Sequence, residues 1–147
     1  MLIQSELDVK EFDPDKRNST FRTISDPELF QLAAEWVKVA SDSGSTYDYY
    51  LSENDVSKIH YEEGGFFSRH KDYLSLTSNV VLEFTMLVCI TPDEKAVPGQ
   101  GGLTLLHTSE TTTHASTTTT TPGSALVFRK DIEHESTVLT AGEKHIV

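Results

Sequence analysis

The spacing of hydrophobic positions changes once along the chain, near residue 44. Before that point, apolar side chains recur every three or four residues from Leu29 to Ala40, which predicts an amphipathic helix. Residues 25–28 (Ser-Asp-Pro-Glu) read as a capping box in front of this helix, and Ser41–Gly44 is typical of a helix end. After Gly44, short apolar runs alternate with turn residues, which is typical of β-strands. The pattern therefore predicts one helix followed by a mostly β structure.

The β part of the chain divides into short segments separated by glycine and proline. Strands are predicted at residues 56–61, 66–72, 80–91, 103–108, 124–129 and 135–139. The run at 80–91 is the most apolar, so we expect it to be a buried central strand. Residues 111–121 contain eight threonines, which favour a polar hairpin or flap edge. One helix and about seven strands predict an antiparallel sandwich or barrel with the helix packed outside.

Two smaller features belong to the region of the helix. Residues 13–15 (Asp-Pro-Asp) predict a turn between two short extended pieces ahead of the helix. Trp36, on the apolar face of the helix, is expected to anchor packing and not to bind a ligand.

Composition narrows the class of protein. The chain has 147 residues, 37% of them hydrophobic and 24% charged, which indicates one globular domain. We see no signal peptide and no apolar run long enough to span a bilayer, so a cytoplasmic or nuclear location is expected. Cys89 is the single cysteine and lies in an apolar run, which predicts a small buried hydrophobe and excludes an internal disulfide.

The charge balance argues against nucleic acid as a partner. Net charge is −11, and no cluster of Lys and Arg is present that could neutralise a run of phosphates. The acidity fits a basic or neutral substrate, and it also fits a simple role in solubility.

A candidate metal site begins with His70 and Asp72. Residues i and i+2 of a strand share one face, so these two side chains project together. An imidazole and a carboxylate supply two-thirds of the facial triad that binds Fe(II). Taken alone, the pair also fits a solvated polar strand end, because this triplet arises often by chance. A second imidazole is therefore needed, and His134 supplies it.

A cation follows at a useful distance from His134. Lys144 lies ten residues later, beyond a turn at residues 141–142, and we expect it to pair close to Leu139 across a hairpin. That places the backbones of His134 and Lys144 roughly 15 Å apart. A metal at one end and an ammonium group at the other could then hold the two ends of a 2-oxo diacid.

Three stretches together resemble the Fe(II)/2-oxoglutarate-dependent dioxygenases, and most closely their prolyl 4-hydroxylase-like branch of microbial and fungal type. They are residues 61–72 (Tyr-Glu-Glu-Gly-Gly-Phe-Phe-Ser-Arg-His-Lys-Asp), residues 101–104 (Gly-Gly-Leu-Thr), and the segment from Pro122 through His134 to Lys144. They follow in the family's order and spacing over about residues 56–146. The resemblance implies a mainly β, double-stranded β-helix (jelly-roll) fold. A single domain would span 1–147, with helical and extended support in 1–55 and the core in 56–147.

The resemblance also implies roles for individual residues. His70, Asp72 and His134 would be the metal ligands, and no further catalytic residue is implied. Lys144 would bind the distal carboxylate of 2-oxoglutarate, with Tyr61 hydrogen-bonded to the same group and Thr104 nearby. Fe(II), 2-oxoglutarate and O₂ are the expected cofactors and cosubstrates, with ascorbate as an auxiliary reductant. The implied reaction couples oxidative decarboxylation of 2-oxoglutarate to hydroxylation of a carbon, for example in a prolyl residue.

The sequence departs from the family pattern in places. Three residues follow Lys144, where the family's last core strand continues, so we expect that strand to be truncated. His107 is expected to be structural or pocket-lining, with a second metal site as the alternative. Arg69 and Lys71 flank the ligands and are expected on the surface or substrate rim.

Two further hypotheses stay open on the sequence alone. One is a module that binds metal and 2-oxoglutarate without turnover, and the other is a cupin-like metal protein that needs no cosubstrate. If the protein is an enzyme, the expected substrate is a protein, a peptide or a small molecule.

Overall fold

A curled antiparallel sheet dominates the computed structural model, which describes residues 9–23, 26–51, 56–72 and 82–147. In chain order, the elements are β1 (Val9–Asp13), β2 (Arg17–Thr23), α1 (Pro27–Asp42), β3 (Ser57–Tyr61), β4 (Phe66–His70), β5 (Phe84–Val88), a 3₁₀ turn (Asp93–Lys95), β6 (Thr104–His107), β7 (Thr113–Ser116), β8 (Ala125–Arg129), β9 (Glu133–Ser136) and β10 (Lys144–Ile146). Among the described residues the structure is therefore mainly β with a single α-helix.

The strands form two sheets. The larger runs in the order β10-β3-β2-β4-β9-β6-β7, with β1 also paired to β2, and the smaller pairs β5 with β8. All these pairings are antiparallel. Leu87 of the small sheet packs against a core cluster of Tyr61 and Ile146, from the large sheet, and Leu139, from the segment between β9 and β10. The predicted fold class, a mainly β double-stranded β-helix with a supporting helix, is confirmed.

The helix begins one residue later than its capping box predicts. Asp26 is the N-cap, and its carboxylate accepts a hydrogen bond from the backbone N–H of Glu28 at 2.9 Å. Ser25, the predicted cap, lies outside the described residues. Ala33 and Val37 form the buried face, and Trp36 lines a groove between α1 and strands β5 and β8. No helix in the described segments combines the length and apolar character needed to cross a membrane.

Several other sequence predictions are confirmed. The turn at residues 13–15 joins β1 to β2. The threonine-rich stretch supplies β7, an exposed edge strand of the large sheet, because its polar β-branched side chains suit an edge that faces water. Cys89 is a free and buried thiol.

The predicted central strand at 80–91 is wrong in length and position. The observed strand β5 covers Phe84–Val88 and belongs to the two-stranded sheet, with its side chains mostly half-buried. Residues 80–81 lie outside the described part of the chain. The apolar run indicates burial against the large sheet, and periodicity alone does not give a strand's place in the sheet order.

The predicted hairpin near Lys144 is also wrong. Lys144 pairs with Tyr61 of β3, and β9 pairs with β4 and β6. The strand predicted at 135–139 begins at Glu133 and ends at Ser136. Leu139 instead hydrogen-bonds the β3–β4 turn, where Gly64 N–H donates to its carbonyl at 2.8 Å. The chain between β9 and β10 thus crosses to a more distant strand.

Strand neighbours decide which side chains share the inner face of the large sheet. Directly opposed residues of antiparallel strands place their side chains on the same face. His70 is opposite His134, and Thr104 is opposite Ser136. Because positions 134 and 136 of β9 share a face, these four side chains lie on the same side of the sheet.

Candidate metal centre

His70, Asp72 and His134, here called the inner cluster, lie together as the sequence predicts. One ligand atom from each residue lies within 4.8 Å of the other two. The Asp72 carboxylate oxygen Oδ1 is 3.7 Å from His70 Nε2 and 3.5 Å from His134 Nε2. Strand β4 ends at His70, so Asp72 reaches the cluster from the segment just beyond the strand.

Backbone hydrogen bonds orient both imidazoles of the inner cluster. His70 Nδ1 lies 2.7 Å from the Ser68 carbonyl oxygen, and His134 Nδ1 lies 3.1 Å from the Ile132 carbonyl oxygen. A carbonyl can only accept, so each Nδ1 carries the proton and each Nε2 keeps a free lone pair. This is the arrangement that metal-binding histidines usually show.

The carboxylate of Asp72 is held by a neighbour from the small sheet. Thr85 of β5 donates its hydroxyl hydrogen to Asp72 Oδ2 at 2.5 Å, while Oδ1 faces the two imidazoles. Sequence reasoning missed Thr85, and its signal is a single hydroxyl inside the apolar run of β5. The small sheet thus contributes to the site by fixing one ligand.

Aromatic rings pack against both imidazoles of the inner cluster. The ring of Phe67 stacks on His70 with centroids 3.6 Å apart, and Phe128 lies 4.6 Å from His134. Burial lowers the pKa of His70, with the neighbouring His134 as a further cause. A neutral imidazole is the ligand form, so this environment favours metal binding over protonation.

The donor set fits a divalent transition metal. Two imidazole nitrogens and one carboxylate oxygen form the 2-His-1-carboxylate set typical of non-haem Fe(II) sites, which leaves coordination positions open. No other side chain of the described residues joins the three in this cluster. The centre is therefore suited to bind a metal that must also accept further ligands.

Lys144 lies in the same region, buried to 1% exposure. Its Nζ donates to the Gly102 carbonyl oxygen at 2.8 Å and to Ser136 Oγ at 3.0 Å. No carboxylate lies within ion-pair distance of Nζ in the part of the chain that is described. Burial lowers the pKa of Lys144 to about 8. A buried ammonium group with only neutral partners is costly, and an anionic ligand would offset that cost.

Tyr61 forms the wall beside Lys144. It is 2% exposed, and Lys144 Nζ lies 5.1 Å from its ring centroid. Burial raises the pKa of Tyr61 to about 12, so its hydroxyl remains a neutral donor. Ser136 hydrogen-bonds the Tyr61 hydroxyl and accepts from Lys144. Sequence reasoning missed Ser136, although its position two residues after His134 places it on the ligand face.

The Gly-Gly-Leu-Thr segment lies on the other side of Lys144. Thr104 is 2% exposed, and its hydroxyl lies 2.8 Å from that of Thr119. Gly102 adopts φ +66°, and a Cβ there would lie 3.0 Å from Leu139 Cδ1. Glycine is favoured at this position because any other side chain would be strained in this left-handed backbone conformation.

Three solved structures have the same fold. A prolyl-4-hydroxylase from Pseudomonas putida aligns over 93% of this chain and 72% of its own, with TM-score 0.62 and 17% identity. An oxidoreductase of the 2OG-Fe(II) oxygenase family from Burkholderia pseudomallei aligns over 96% and 70%, with TM-score 0.67 and 18% identity. A Trichoplax adhaerens prolyl hydroxylase, in complex with a hypoxia inducible factor peptide fragment, aligns over 97% and 69%, with TM-score 0.63 and 16% identity.

The chain has the fold of the 2-oxoglutarate- and Fe(II)-dependent oxygenases. Two of the three structures, from Pseudomonas putida and Trichoplax adhaerens, are prolyl hydroxylases. No protein-family model and no curated protein sequence matches it. At these identities the likeness establishes the oxygenase fold, and the chemistry has to be argued from the site.

Two residues flagged in the sequence lie away from the inner face of this oxygenase fold. His107 opposes Glu133 in register, on the face opposite to Thr104 and His134, and its Nε2 lies 3.7 Å from Glu135. His107 is therefore structural and does not line the pocket. Arg69 is exposed and forms an ion pair with Glu133, as expected of a surface residue.

Proposed function

We propose that this protein is an Fe(II)- and 2-oxoglutarate-dependent oxygenase that hydroxylates a carbon atom of its substrate. The observation that carries the proposal is the pairing of two features on one face of the sheet. One is the inner cluster of two histidines and an aspartate, and the other is Lys144, buried without a carboxylate partner among the described residues. Neither feature alone is specific to oxygenases, because many kinds of protein contain a metal cluster or a buried lysine.

The separation of the two features suits a five-carbon diacid. Ser136 lies two residues beyond His134 on the same strand face, which separates their backbones by roughly 7 Å. Lys144 Nζ is 3.0 Å from Ser136 Oγ. A 2-oxoglutarate molecule could thus reach from the metal ligands to the ammonium group.

Each residue has a defined task in this proposal. His70, Asp72 and His134 would hold Fe(II), which when bound supplies the redox chemistry that activates O₂ and decarboxylates 2-oxoglutarate. Lys144 would bind the distal carboxylate through a charge-assisted contact, and Tyr61 would donate its phenolic hydrogen to the same group.

The other residues of the pocket position these groups. Thr85 fixes the Asp72 carboxylate, and Ser136 holds Lys144 and Tyr61 together. Thr104 would border the cosubstrate. The rings of Phe67 and Phe128 pack against the two imidazoles of the inner cluster and hold them in place.

For the substrate, we propose a prolyl residue in a protein or peptide. Two of the structures with this fold are prolyl hydroxylases by name, and one of them holds a peptide fragment. A small molecule is the other class to screen.

An anaerobic titration tests the proposal. Fe(II) and 2-oxoglutarate added to metal-free protein should give the weak visible charge-transfer band of an Fe(II)–2-oxo acid complex. The band should be absent in His134→Ala and should need far more 2-oxoglutarate in Lys144→Ala. Absence of the band in folded wild-type protein, or its survival in His134→Ala, would contradict the assignment.

Turnover assays separate the remaining alternatives. A band without succinate release in air, across a peptide and small-molecule screen, would indicate a binding module without turnover. Metal-dependent activity that is indifferent to Lys144→Ala would indicate a cupin-like protein with no cosubstrate.

A further inference from the structure

A second cluster of two histidines and a carboxylate lies on the outer side of strands β3 and β10. His60, Glu143 and His145, here called the outer cluster, each place one ligand atom within 4.8 Å of the other two. Glu143 Oε2 lies 3.2 Å from His60 Nε2 and 2.9 Å from His145 Nε2. The two imidazole rings stack, with centroids 4.1 Å apart and planes inclined by 8°, so one ring has to turn for both Nε2 lone pairs to meet at a single ion.

Strand register places the outer cluster on the opposite side of the sheet from Lys144 and Tyr61. His145 is directly opposite His60, and Lys144 is directly opposite Tyr61. Neighbouring residues of a strand point to opposite faces, so the two pairs occupy the two sides of the same two strands. Lys144 and Tyr61 are buried, whereas the outer cluster has side-chain exposures of 16–27%. A solvated ion therefore has direct access to it.

The carboxylate of Glu143 is oriented before any metal arrives. Lys95 Nζ donates to Glu143 Oε1 at 2.5 Å, which turns Oε2 toward both imidazoles. The Glu143 backbone N–H donates to the Lys95 carbonyl oxygen at 3.2 Å. Gly142 makes this close approach available, because a Cβ there would lie 2.6 Å from the same carbonyl. Hydrogen bonds from Lys95 and His145 lower the pKa of Glu143 to about 2, so it is a carboxylate at neutral pH.

We propose that the outer cluster is a second metal site, for Zn²⁺ or a similar divalent transition metal. Two imidazoles and one carboxylate are ligands that Zn²⁺ accepts, with a fourth position left for water. Glu143 Oε2 now hydrogen-bonds both Nε2 atoms, at 3.2 and 2.9 Å, and tetrahedral ligands with bonds of about 2.0–2.1 Å lie roughly 3.3 Å apart, so an ion would replace these hydrogen bonds after a small outward shift of the ligands. This inference does not depend on the oxygenase function.

A metal in the outer cluster would join β3 to β10 with one or more ligands from each side. Because an ion that binds only the folded protein stabilises it, Zn²⁺ should raise the melting temperature. The same bridge would fix the strand that carries Lys144. The site would thus be a structural clamp on the side of the sheet opposite to Lys144 and Tyr61.

Zinc stoichiometry tests the proposal in the metal-free full-length chain, measured by calorimetry and by elemental analysis after desalting. A background that lacks inner-cluster ligands, Asp72→Ala with His134→Ala, should retain one Zn²⁺ per chain. Adding Glu143→Gln to that background should remove it. Glutamine keeps the size of Glu143 and one acceptor oxygen but loses the anionic ligand, so loss of Zn²⁺ from a folded variant assigns Glu143 as a metal ligand.

His114→Gln is the matched control, because His114 is an exposed histidine on the edge strand β7. It should retain the single Zn²⁺ in the same background, and Zn²⁺ should raise its melting temperature by several degrees.

Failure of the background to retain Zn²⁺, or retention unchanged by Glu143→Gln, would overturn the proposal. If the background variant does not fold, wild-type protein should bind one Zn²⁺ more than the single variants Glu143→Gln and His60→Gln. Equal stoichiometries there would overturn it as well.

Discussion

The inner and outer clusters have the same kinds of side chain in different surroundings. Each has two histidines and one carboxylate with ligand atoms inside 4.8 Å. In the inner cluster a neutral hydroxyl, from Thr85, holds the carboxylate, and aromatic rings pack against the imidazoles. In the outer cluster a lysine ammonium holds the carboxylate, and the two imidazoles stack on each other.

Because both clusters have the same ligand types, ligand types alone do not define an oxygenase site. The inner cluster lies beside Lys144, whose buried charge has no carboxylate partner in the described residues. The outer cluster already has a cation, Lys95, bound to its carboxylate. An anionic cosubstrate is therefore expected on the inner side only. Substitutions on the two sides should separate them, with effects that decrease from the metal ligands to the groups that orient them.

Removing an inner ligand should have the largest effect. Changes around a metal's ligands typically weaken binding about 10- to 100-fold, so His134→Ala should weaken Fe(II) binding by more than roughly 100-fold. Anaerobic titration with Fe(II) measures this, and His114→Gln should match wild type. A His134→Ala affinity within about tenfold of wild type would mean that His134 is not a ligand.

Removing the buried cation should act on the cosubstrate and spare the metal. Lys144→Met should weaken 2-oxoglutarate binding by roughly 30-fold or more, since losing one partner of a buried charge pair costs about 2–5 kcal/mol. The charge-transfer band at increasing 2-oxoglutarate reports this, and Fe(II) affinity should stay within about threefold. A change in Fe(II) affinity with no change in 2-oxoglutarate affinity would mean that Lys144 supports the metal ligands and does not bind the cosubstrate.

The same lysine should make stability depend on pH in the absence of cosubstrate. Burial lowers its pKa from 10.5 to about 8 in the folded protein. Its neutral form is therefore favoured by folding, so the contribution to stability is fully present above pH 10.5 and is lost as pH falls through 8.

Chemical denaturation of wild type and Lys144→Met between about pH 7 and 10.5 measures this contribution. The unfolding free energy of wild type should rise relative to the variant by on the order of 3 kcal/mol over that range. A difference that is independent of pH would show that the folded protein holds Lys144 with an ordinary pKa.

The groups that orient the two carboxylates should show the smallest effects, each confined to one cluster. Thr85→Val should weaken Fe(II) binding at the inner cluster about tenfold, because Asp72 loses its hydrogen-bonded partner but stays in place as a ligand. Lys95→Met should weaken Zn²⁺ binding at the outer cluster and leave Fe(II) binding unchanged. Metal titrations of both variants check this. Weaker Zn²⁺ binding in Thr85→Val, or weaker Fe(II) binding in Lys95→Met, would show that the clusters are coupled.

The ligands of the inner cluster could be predicted because their signal is local. His70 and Asp72 are two residues apart, and Lys144 follows His134 after ten residues. The structure brings all three together, although β4 stops at His70 and Asp72 lies beyond it. The assignment of these residues as Fe(II) ligands stays a prediction until metal binding is measured.

The outer cluster and the supporting residues could not be predicted because they depend on strand pairing. Glu143 and His145 are two residues apart, but nothing in the sequence indicates that His60, 83 residues from Glu143, lies opposite His145. The expected hairpin placed Lys144 beside Leu139, whereas the chain crosses to β3. Thr85 and Ser136 were missed for the same reason, since their roles come from neighbours far away in sequence.

Succinate release from 2-oxoglutarate in air is the most direct test of the central claim that the inner cluster supports oxygenase chemistry. Wild-type protein with Fe(II) should release succinate, faster with a substrate such as a proline-containing peptide, and His114→Gln should match it. Asp72→Asn should release none above background while remaining folded. Succinate release that persists in Asp72→Asn, or none from wild type with any substrate tested, would contradict the account.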